Sequence, residues 1–244
     1  MAQILGIKLS DLNYQKLLSE IKTGLNRGDK KYIVTPNPEI ILAALNDSEL
    51  KNIINRADFS LADGVGLKIA GFLKGKKIVR VTGADLSFKL LDLASSNNYK
   101  VAIIIWEKGL SNLSEVNEAL TKKYPKLKFL TIKHSRQDYL ASTAIKEINQ
   151  FSPDILFVTL GFPEQEKIIA KSNFNFPSVK LSLGVGGTFD FLTGKAKRAP
   201  KMLRYIGLEW LWRLIIQPSR IKRIWRATFI FMFKVLTYRE KNRI

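Results

Sequence analysis

The feature that most constrains the fold is an alternation of apolar runs with amphipathic stretches across the first 194 residues. The apolar runs, rich in β-type residues, are 32–34, 101–106, 127–132, 155–160 and 179–183. Apolar residues recur at helical spacing in the stretches 86–94, 113–124, 139–151 and 164–172. Strands that alternate with helices require crossover connections, so the sequence predicts an α/β fold with a doubly wound, Rossmann-like parallel sheet.

The distribution of charge divides the chain near residue 194. The 244 residues include 40 Lys and Arg against 21 Asp and Glu, a net charge of +19 that favours anionic partners. Residues 195–244 hold 14 of the basic residues, two acidic ones and three of the four tryptophans. The sequence therefore predicts an α/β domain over residues 1–194 and a basic, amphipathic helical appendage over residues 195–244.

The predicted appendage has the composition of a helix that lies on a membrane. Helical spacing continues after Pro200, with a break at Pro218, and the apolar run 228–235 is interrupted by Lys234. This run is far shorter than the roughly 20 residues that span a bilayer. Cations interleaved with Trp and Phe favour an anionic membrane surface, and exposed apolar residues also leave a homo-oligomer open. Because residues 1–11 lack the layout of a secretory signal, a cytoplasmic location is expected.

Polar or small residues follow three of these predicted strands and a further strand-like run, Phe59-Ser60-Leu61-Ala62. They are Thr35-Pro36-Asn37-Pro38-Glu39, Ala62-Asp63-Gly64, Gly161-Phe162-Pro163-Glu164-Gln165 and Gly184-Val185-Gly186-Gly187-Thr188. Because the carboxyl ends of parallel strands meet at one edge of the sheet, these loops predict a ligand site there.

Each loop also has a purely structural interpretation. Asp63 is placed to act as a general base, or to cap the helix that begins near Val65. Thr35 and Asn37 suit sugar hydroxyls, while Asn37 equally suits a helix cap before Pro38.

The remaining candidate residues also have both a functional and a structural interpretation. The glycines Gly184, Gly186 and Gly187 with Thr188 allow the backbone to approach a phosphate, or form a tight turn without a ligand. Gln165 and Arg80 are candidates for sugar and diphosphate contacts, or solvated surface residues.

Several classes of chemistry are disfavoured. The chain has no cysteine, a single histidine (His134) and no Asp-x-Asp pair, so neither a metal site nor a cofactor is predicted. Nucleic-acid binding would use the positive charge, but the basic residues lie in an apolar tail and no nucleic-acid module is visible. A nicotinamide-dependent enzyme would carry its glycine loop after the first strand. A non-catalytic membrane adaptor remains open, although it leaves the polar loops without a purpose.

In combination, the motifs resemble the WecG/TagA/CpsF glycosyltransferase family. Besides the loops at residues 35–39, 62–66, 161–166 and 184–191, the matching pieces are Arg80-Val81-Thr82-Gly83-Ala84-Asp85, Arg198-Ala199-Pro200, and Leu208-Glu209-Trp210 through Arg213, Pro218 and Arg220. They occur in family order from residue 35 to about residue 223.

The resemblance implies an inverting, metal-independent transfer of N-acetylmannosamine from its UDP donor to undecaprenyl-diphosphate-linked N-acetylglucosamine. The product would serve wall teichoic acid or a related surface polymer, at the inner face of a bacterial cell membrane. N-acetylmannosamine uronic acid or glucose are alternative donor sugars.

The resemblance also assigns roles to residues. It makes Asp63 the candidate base, places Thr35, Asn37 and Gln165 against the substrate, and puts Arg80 near the diphosphate. By the same resemblance, the 184–188 loop and Asp190 are on the nucleotide side. Finally, it implies an appendage that closes over the site, with Arg213, Arg220 and Arg223 meeting the lipid diphosphate.

Overall fold

The computed structural model describes residues 2–135, 137 and 139–238. Residues 239–244 of the predicted appendage therefore lie outside the described residues.

A six-stranded parallel sheet forms the centre of the molecule, in the order β4-β3-β8-β7-β5-β6. Its strands are β3 (Lys31–Val34), β4 (Phe59–Ser60), β5 (Lys100–Trp106), β6 (Lys128–His134), β7 (Ile155–Val158) and β8 (Leu181–Gly184). A short antiparallel hairpin, β1 (Ala2–Ile4) and β2 (Ile7–Leu9), precedes it. The parallel sheet and all five predicted strands are confirmed, with ends that shift by one or two residues.

Helices connect the strands. They are α1 (Tyr14–Arg27), α2 (Pro38–Ala44), α3 (Ser48–Arg56), α4 (Val65–Leu73), α5 (Gly83–Asn97), α6 (Leu113–Lys123), α7 (Ser142–Phe151), α8 (Glu164–Ala170), α9 (Ser172–Asn175) and α10 (Thr188–Leu192). Side-chain caps fix several of their starts: Asn37 accepts a hydrogen bond from the Ile40 amide, and Thr82 accepts one from the Asp85 amide. The helix predicted from residue 139 begins only at Ser142, because Ala141 keeps an extended backbone.

Helices cover both faces of the sheet, as a doubly wound arrangement requires. Along β5, Val101 and Ile103 pack with α1, α5 and α6 on one face, whereas Ala102 and Ile104 pack with α2, α3, α7 and α8 on the other. Alternation of buried residues between two apolar layers explains why the strands are apolar throughout. The core layers leave the carboxyl edge of the sheet open to loops.

The chain after residue 200 is helical. It forms α11 (Lys201–Tyr205), α12 (Glu209–Ile216), a 3-10 turn (Pro218–Arg220), α13 (Ile221–Trp225), a π-helical turn (Arg226–Ile230) and α14 (Phe231–Thr237). Phe231 and Val235 of α14 are buried in the same apolar layer as α2 and α4. None of the helices that the structure describes combines the length and apolar character needed to cross a bilayer.

Candidate active site

Asp63 lies at the carboxyl edge of the sheet, where three segments are tied together. Its backbone N–H donates to the carbonyl of Pro36 at 2.9 Å, which joins the loops after β4 and β3. The N–H of Val81 donates to the carbonyl of Ala62 at 3.0 Å and brings in the segment before α5. Backbone hydrogen bonds to both neighbouring segments thus hold the Asp63 backbone in place and fix where its side chain starts.

The Asp63 carboxylate faces the start of α5. The backbone N–H of Gly83, in the first turn of that helix, donates to Oδ2 at 3.2 Å. The pKa of Asp63 is raised to about 6, chiefly by burial and also by nearby Glu209, although the Gly83 amide, Arg213 and Arg80 act to lower it. A carboxyl group with this pKa is ionised at neutral pH and is more basic than an ordinary aspartate, as general base catalysis requires.

Asp63 opens into a cavity of about 560 Å³ between the sheet edge and the C-terminal helices. Of the predicted site residues, the cavity brings together Asn37, Asp63, Arg80, Arg213, Arg220 and Arg223. The core contributes further lining residues, Pro38, Glu39, Gly64, Val65, Gly66 and Ile69, and the C-terminal helices contribute Gly207, Glu209, Trp210, Ile224, Ala227, Thr228, Phe229 and Met232. The predicted appendage therefore supplies about half of the walls.

Arg80 joins the core to the C-terminal helices. One terminal nitrogen, Nη1, donates to the carbonyl of Arg204 at 2.7 Å, and Nη2 lies 3.4 Å from Oε2 of Glu209. Its buried Nε has no hydrogen-bond partner among the described residues. Arg80 also lines the cavity, and its contact with a diphosphate stays a prediction.

Two glutamates hold the arginines of the C-terminal helices. Glu209 accepts from Arg213 at 3.0 Å, and Glu39 of α2 binds Arg223 through two hydrogen bonds of 2.9 Å each. Arg220 has no such carboxylate partner among the contacts described, and it hydrogen-bonds Gln217. Burial, together with the positive charges of Arg223 and Arg213, lowers the pKa of Arg220. The group as a whole suits a multiply charged anion, because guanidinium groups bind phosphate oxygens in pairs.

Asp85, in the first turn of α5, binds the segment that leads into the C-terminal helices. It accepts from Thr82 Oγ1 at 2.7 Å, from Arg198 at 2.8 Å and from Arg204 at 3.2 Å. Burial alone would raise the pKa of Asp85, but the hydrogen bond from Thr82 and the two arginines lower it. This network fixes the C-terminal helices over Asp63.

The other predicted residues lie beside the cavity and engage protein atoms. Buried Thr35 has Oγ1 3.4 Å from the carbonyl of Gly184. Gln165 is also buried; its Oε1 accepts from the amides of Gly161 at 3.1 Å and Gly186 at 3.0 Å. Gln165 therefore ties together the loops after β7 and β8, and a direct substrate contact for it stays a prediction.

The glycine loop is packed closely on its inner side. A Cβ atom at Gly184 would lie 2.8 Å from Nε2 of Gln165, while one at Gly186 would meet nothing within 4 Å. Thr188 donates to the carbonyl of Val185 at 2.7 Å, and Asp190 accepts from the Ser111 hydroxyl at 2.8 Å. The loop lies next to Thr35 on the same sheet edge, and its nucleotide contacts likewise stay a prediction.

Sequence reasoning did not single out Glu39, Glu209, Asp85, Arg198 and Arg204 as site residues. All but Arg204 lie within the motifs that carry the family resemblance, and each acts through an ion pair between segments far apart in sequence. Within the described ranges, no group of three or more His, Cys, Asp or Glu side chains is placed to hold a metal ion.

Comparisons with known proteins cover nearly the whole chain. A model described as the glycosyl transferase WecG/TagA/CpsF family matches residues 2–244. A protein of Staphylococcus aureus (strain MRSA252), named N-acetylglucosaminyldiphosphoundecaprenol N-acetyl-beta-D-mannosaminyltransferase, is 34% identical over 245 residues, which cover 98% of this chain and 93% of the relative. A protein of the same name from strain NCTC 8325 / PS 47 is 32% identical over 243 residues, with the same coverage. The chain therefore belongs to the WecG/TagA/CpsF family and is a glycosyltransferase.

Proposed function

We propose that this glycosyltransferase moves N-acetylmannosamine from UDP-N-acetylmannosamine to N-acetylglucosaminyl-diphosphoundecaprenol, with inversion and without a metal ion. The observation that carries the proposal is the position of Asp63, a carboxylate with a raised pKa in a cavity that Arg213, Arg220 and Arg223 also line. The names of the two relatives specify this sugar and this acceptor, at 34% and 32% identity. The product belongs to the synthesis of wall teichoic acid or a related surface polysaccharide.

The proposed reaction is a single displacement. The acceptor hydroxyl oxygen attacks the anomeric carbon of the donor sugar while its proton passes to Asp63. The bond between that carbon and the diphosphate oxygen breaks, and its electron pair leaves with UDP. One displacement from the opposite side inverts the anomeric carbon.

Positive charge is available for both diphosphates. Arg80 lines the cavity and suits the leaving UDP, because preorganised donors stabilise charge that develops in the transition state. Arg213, Arg220 and Arg223 suit the lipid diphosphate, and a ligand phosphate would compete with Glu39 for Arg223. Asn37 uses Oδ1 to cap α2, so its amide nitrogen is the group left to meet a sugar hydroxyl.

A lipid-linked acceptor places the reaction at the membrane. The C-terminal helices expose Trp225, Phe229 and Phe233 among basic residues, a pattern typical of helices that lie in the headgroup region. Peripheral attachment to the inner face of the cell membrane would bring the cavity to the acceptor diphosphate.

The test is UDP release from UDP-N-acetylmannosamine with a short-chain polyprenyl-diphosphate-N-acetylglucosamine, in the presence of EDTA. We expect release that depends on the acceptor, and a fall of at least about 100-fold in kcat for Asp63→Asn, the usual range for a lost general base. The variant should still bind UDP, since Asp63 is assigned to the acceptor hydroxyl.

The outcomes separate the alternatives. Acceptor-dependent release only from UDP-N-acetylmannosamine uronic acid or UDP-glucose would keep the mechanism and change the donor. Full activity of Asp63→Asn would refute its role as the base, and release abolished by EDTA but restored by a divalent cation would refute metal independence.

A further inference from the structure

Helix α4, which begins directly after Asp63-Gly64, presents an apolar face to solvent. Ile69 is 46% exposed, Phe72 is 82% exposed and Leu73 is 49% exposed. These residues stand at positions i, i+3 and i+4, so they occupy one side of the helix. The opposite side is buried, with Leu67 and Ala70 in the core. Helix α4 therefore contributes one side to the core, and its exposed apolar face is a separate surface.

Exposed lysines lie next to this face along the chain. Lys68 lies within α4, and Lys74, Lys76 and Lys77 follow it directly; all four are exposed. Apolar side chains flanked by cations match the headgroup region of an anionic bilayer, where the apolar groups enter the acyl boundary and the ammonium groups meet lipid phosphates.

The face is continuous with the exposed side of the C-terminal helices. A Cβ atom at Gly66 would lie 3.9 Å from the carbonyl of Ala227 and 4.0 Å from Cε of Met232, so α4 lies directly against the π-helical turn and α14. Ile69 lines the cavity together with Phe229 and Met232, and Phe229 is itself 61% exposed. The apolar mouth of the cavity thus opens between α4 and the C-terminal helices.

We propose that α4 and the lysines after it are a second bilayer-contacting element, formed by the α/β core rather than by the C-terminal helices. Its occupant is the surface of an anionic lipid bilayer. One consequence of this inference rests on the proposed function. The hydrocarbon chain of the acceptor would run from the arginines towards the bilayer, over Ile69, Phe229 and Met232 and between the two lipid-contacting elements.

Charge argues for lipid over a second copy of this chain. A symmetric contact through this face would bring Lys68, Lys74, Lys76 and Lys77 of two copies together, in a protein whose net charge is already +19. Like charges across an interface oppose association, whereas anionic headgroups neutralise them.

The first experiment measures binding of the full chain to sedimented vesicles of phosphatidylcholine with phosphatidylglycerol, in the absence of any sugar substrate. Phe72→Ala should weaken partitioning about tenfold, because a phenylalanine ring is removed from the acyl boundary. Phe174 of α9 is the matched control: it is 87% exposed and precedes β8, at the opposite edge of the sheet from the cavity. Phe174→Ala should partition like the wild type.

A second pair of variants tests the charge. Lys76→Gln/Lys77→Gln should weaken binding to the anionic vesicles by roughly tenfold and leave the weak binding to pure phosphatidylcholine unchanged. The control Lys122→Gln/Lys126→Gln removes two exposed lysines at the far edge of the sheet, before β6. This control should bind both kinds of vesicle as the wild type does.

The proposal is overturned if Phe72→Ala and Phe174→Ala bind vesicles equally. It is also overturned if Phe72→Ala retains vesicle binding but abolishes a concentration-dependent dimer in analytical ultracentrifugation, which would assign the face to a second copy. Turnover with a water-soluble short-chain acceptor separates this inference from the proposed function: Phe72→Ala should keep it, because Phe72 does not line the cavity. A wild type that binds vesicles without any transfer would refute only the proposed function.

Discussion

At the scale of single residues, the protonation of Asp63 depends on the groups around it. Burial and Glu209 favour the protonated form, while Arg80 and Arg213 favour the ionised form. Glu209 binds both arginines, so it acts on Asp63 directly and by offsetting their charge. The carboxylate that holds the C-terminal helices in place thereby also makes the candidate base stronger.

The first prediction follows from that arrangement. A general base works when ionised, so kcat/KM should rise with pH through a midpoint near 6 in the wild type. Glu209→Gln removes a repulsive charge and releases the charges of Arg80 and Arg213, so the midpoint of the profile should move to lower pH. The measurement is the pH profile of kcat/KM, with Glu118→Gln on the exposed side of α6 as control. An unshifted profile for Glu209→Gln would contradict the coupling.

The second prediction concerns stability. Folding raises the pKa of Asp63 from 3.8 to about 6, so the folded state holds this proton more tightly than the unfolded chain. Stability is therefore lost as pH rises between those values, by roughly 3 kcal/mol once pH exceeds 6. Asparagine cannot ionise, so Asp63→Asn should be more stable than the wild type at pH 7.5 and about equal to it near pH 4.

Urea unfolding at both pH values measures this difference. Asp11→Asn, at an exposed position, is the control and should show little change at either pH. Equal stability of wild type and Asp63→Asn at pH 7.5 would mean that the ionised carboxylate is not penalised by its surroundings.

The residue scale also shows what the sequence could predict about the site. Asp63 and Asn37 follow strands directly, so the parallel sheet alone predicts their convergence, and the structure places both in one cavity. The bonds of Gln165 to Gly161 and Gly186, and of Asp190 to Ser111, depend on how three loops pack together. No local pattern in the chain encodes those partners, so their structural roles could not be read from it.

At the scale of elements, the junction between α11 and α12 sets the position of the cavity wall. Gly207 has a positive φ of 83°, and a Cβ there would lie 2.7 Å from Cγ2 of Val65 at the start of α4. Arg204 and Glu209, the two partners of Arg80, flank this glycine. A change of side chain at Gly207 would move both contacts together.

The third prediction compares two glycines of similar backbone conformation. Gly207→Ala and Gly194→Ala each incur about 1–2 kcal/mol of left-handed strain, but Gly194, at φ +79°, has open space around its Cβ position. Only Gly207→Ala should displace α12, and it should lose most acceptor-dependent UDP release while Gly194→Ala retains it. Equal losses in the two variants would show that strain, rather than the collision with Val65, is responsible.

Elements with strong patterns were predictable, and short ones were not. Continuous apolar runs revealed five strands, because strands buried on both faces carry few polar residues. The strands of the β1–β2 hairpin have three residues each, which is too short for an alternation of apolar and polar residues to be recognised. Its Leu5-Gly6 turn is recognisable only from the positive φ angles of those two residues. Helices α1 and α3 carried usable signals in the caps Asn13 and Asp47, each followed by apolar residues at helical spacing.

At the scale of the whole molecule, the chain forms one site from two regions of opposite character. The core carboxylates Asp85 and Glu39 bind Arg198, Arg204 and Arg223. Part of the positive charge after residue 194 therefore holds the C-terminal helices on the core. Arg220 and Arg213 face the cavity beside them, where they leave a positive potential for an anionic ligand. The same helices thus attach to the core and complete its cavity.

Two phenylalanines of α14 separate docking from lipid contact. Phe231 is fully buried in the core layer, whereas Phe233, two residues later, is mostly exposed. Phe231→Ala should cost about 3–5 kcal/mol in urea unfolding, because it leaves a cavity in that layer. Since α14 continues the turn that carries Ala227 and Phe229 in the cavity wall, turnover with the water-soluble acceptor should fall as well.

Phe233→Ala should behave in the opposite way. Its unfolding free energy should stay within about 0.5 kcal/mol of the wild type, as for other surface changes, and its turnover with the water-soluble acceptor should persist. Vesicle binding should weaken about tenfold, because one ring leaves the acyl boundary. If Phe233→Ala instead lost turnover and kept vesicle binding, the exposed side of α14 would contact protein or acceptor, and the bilayer would have to meet another surface of the molecule.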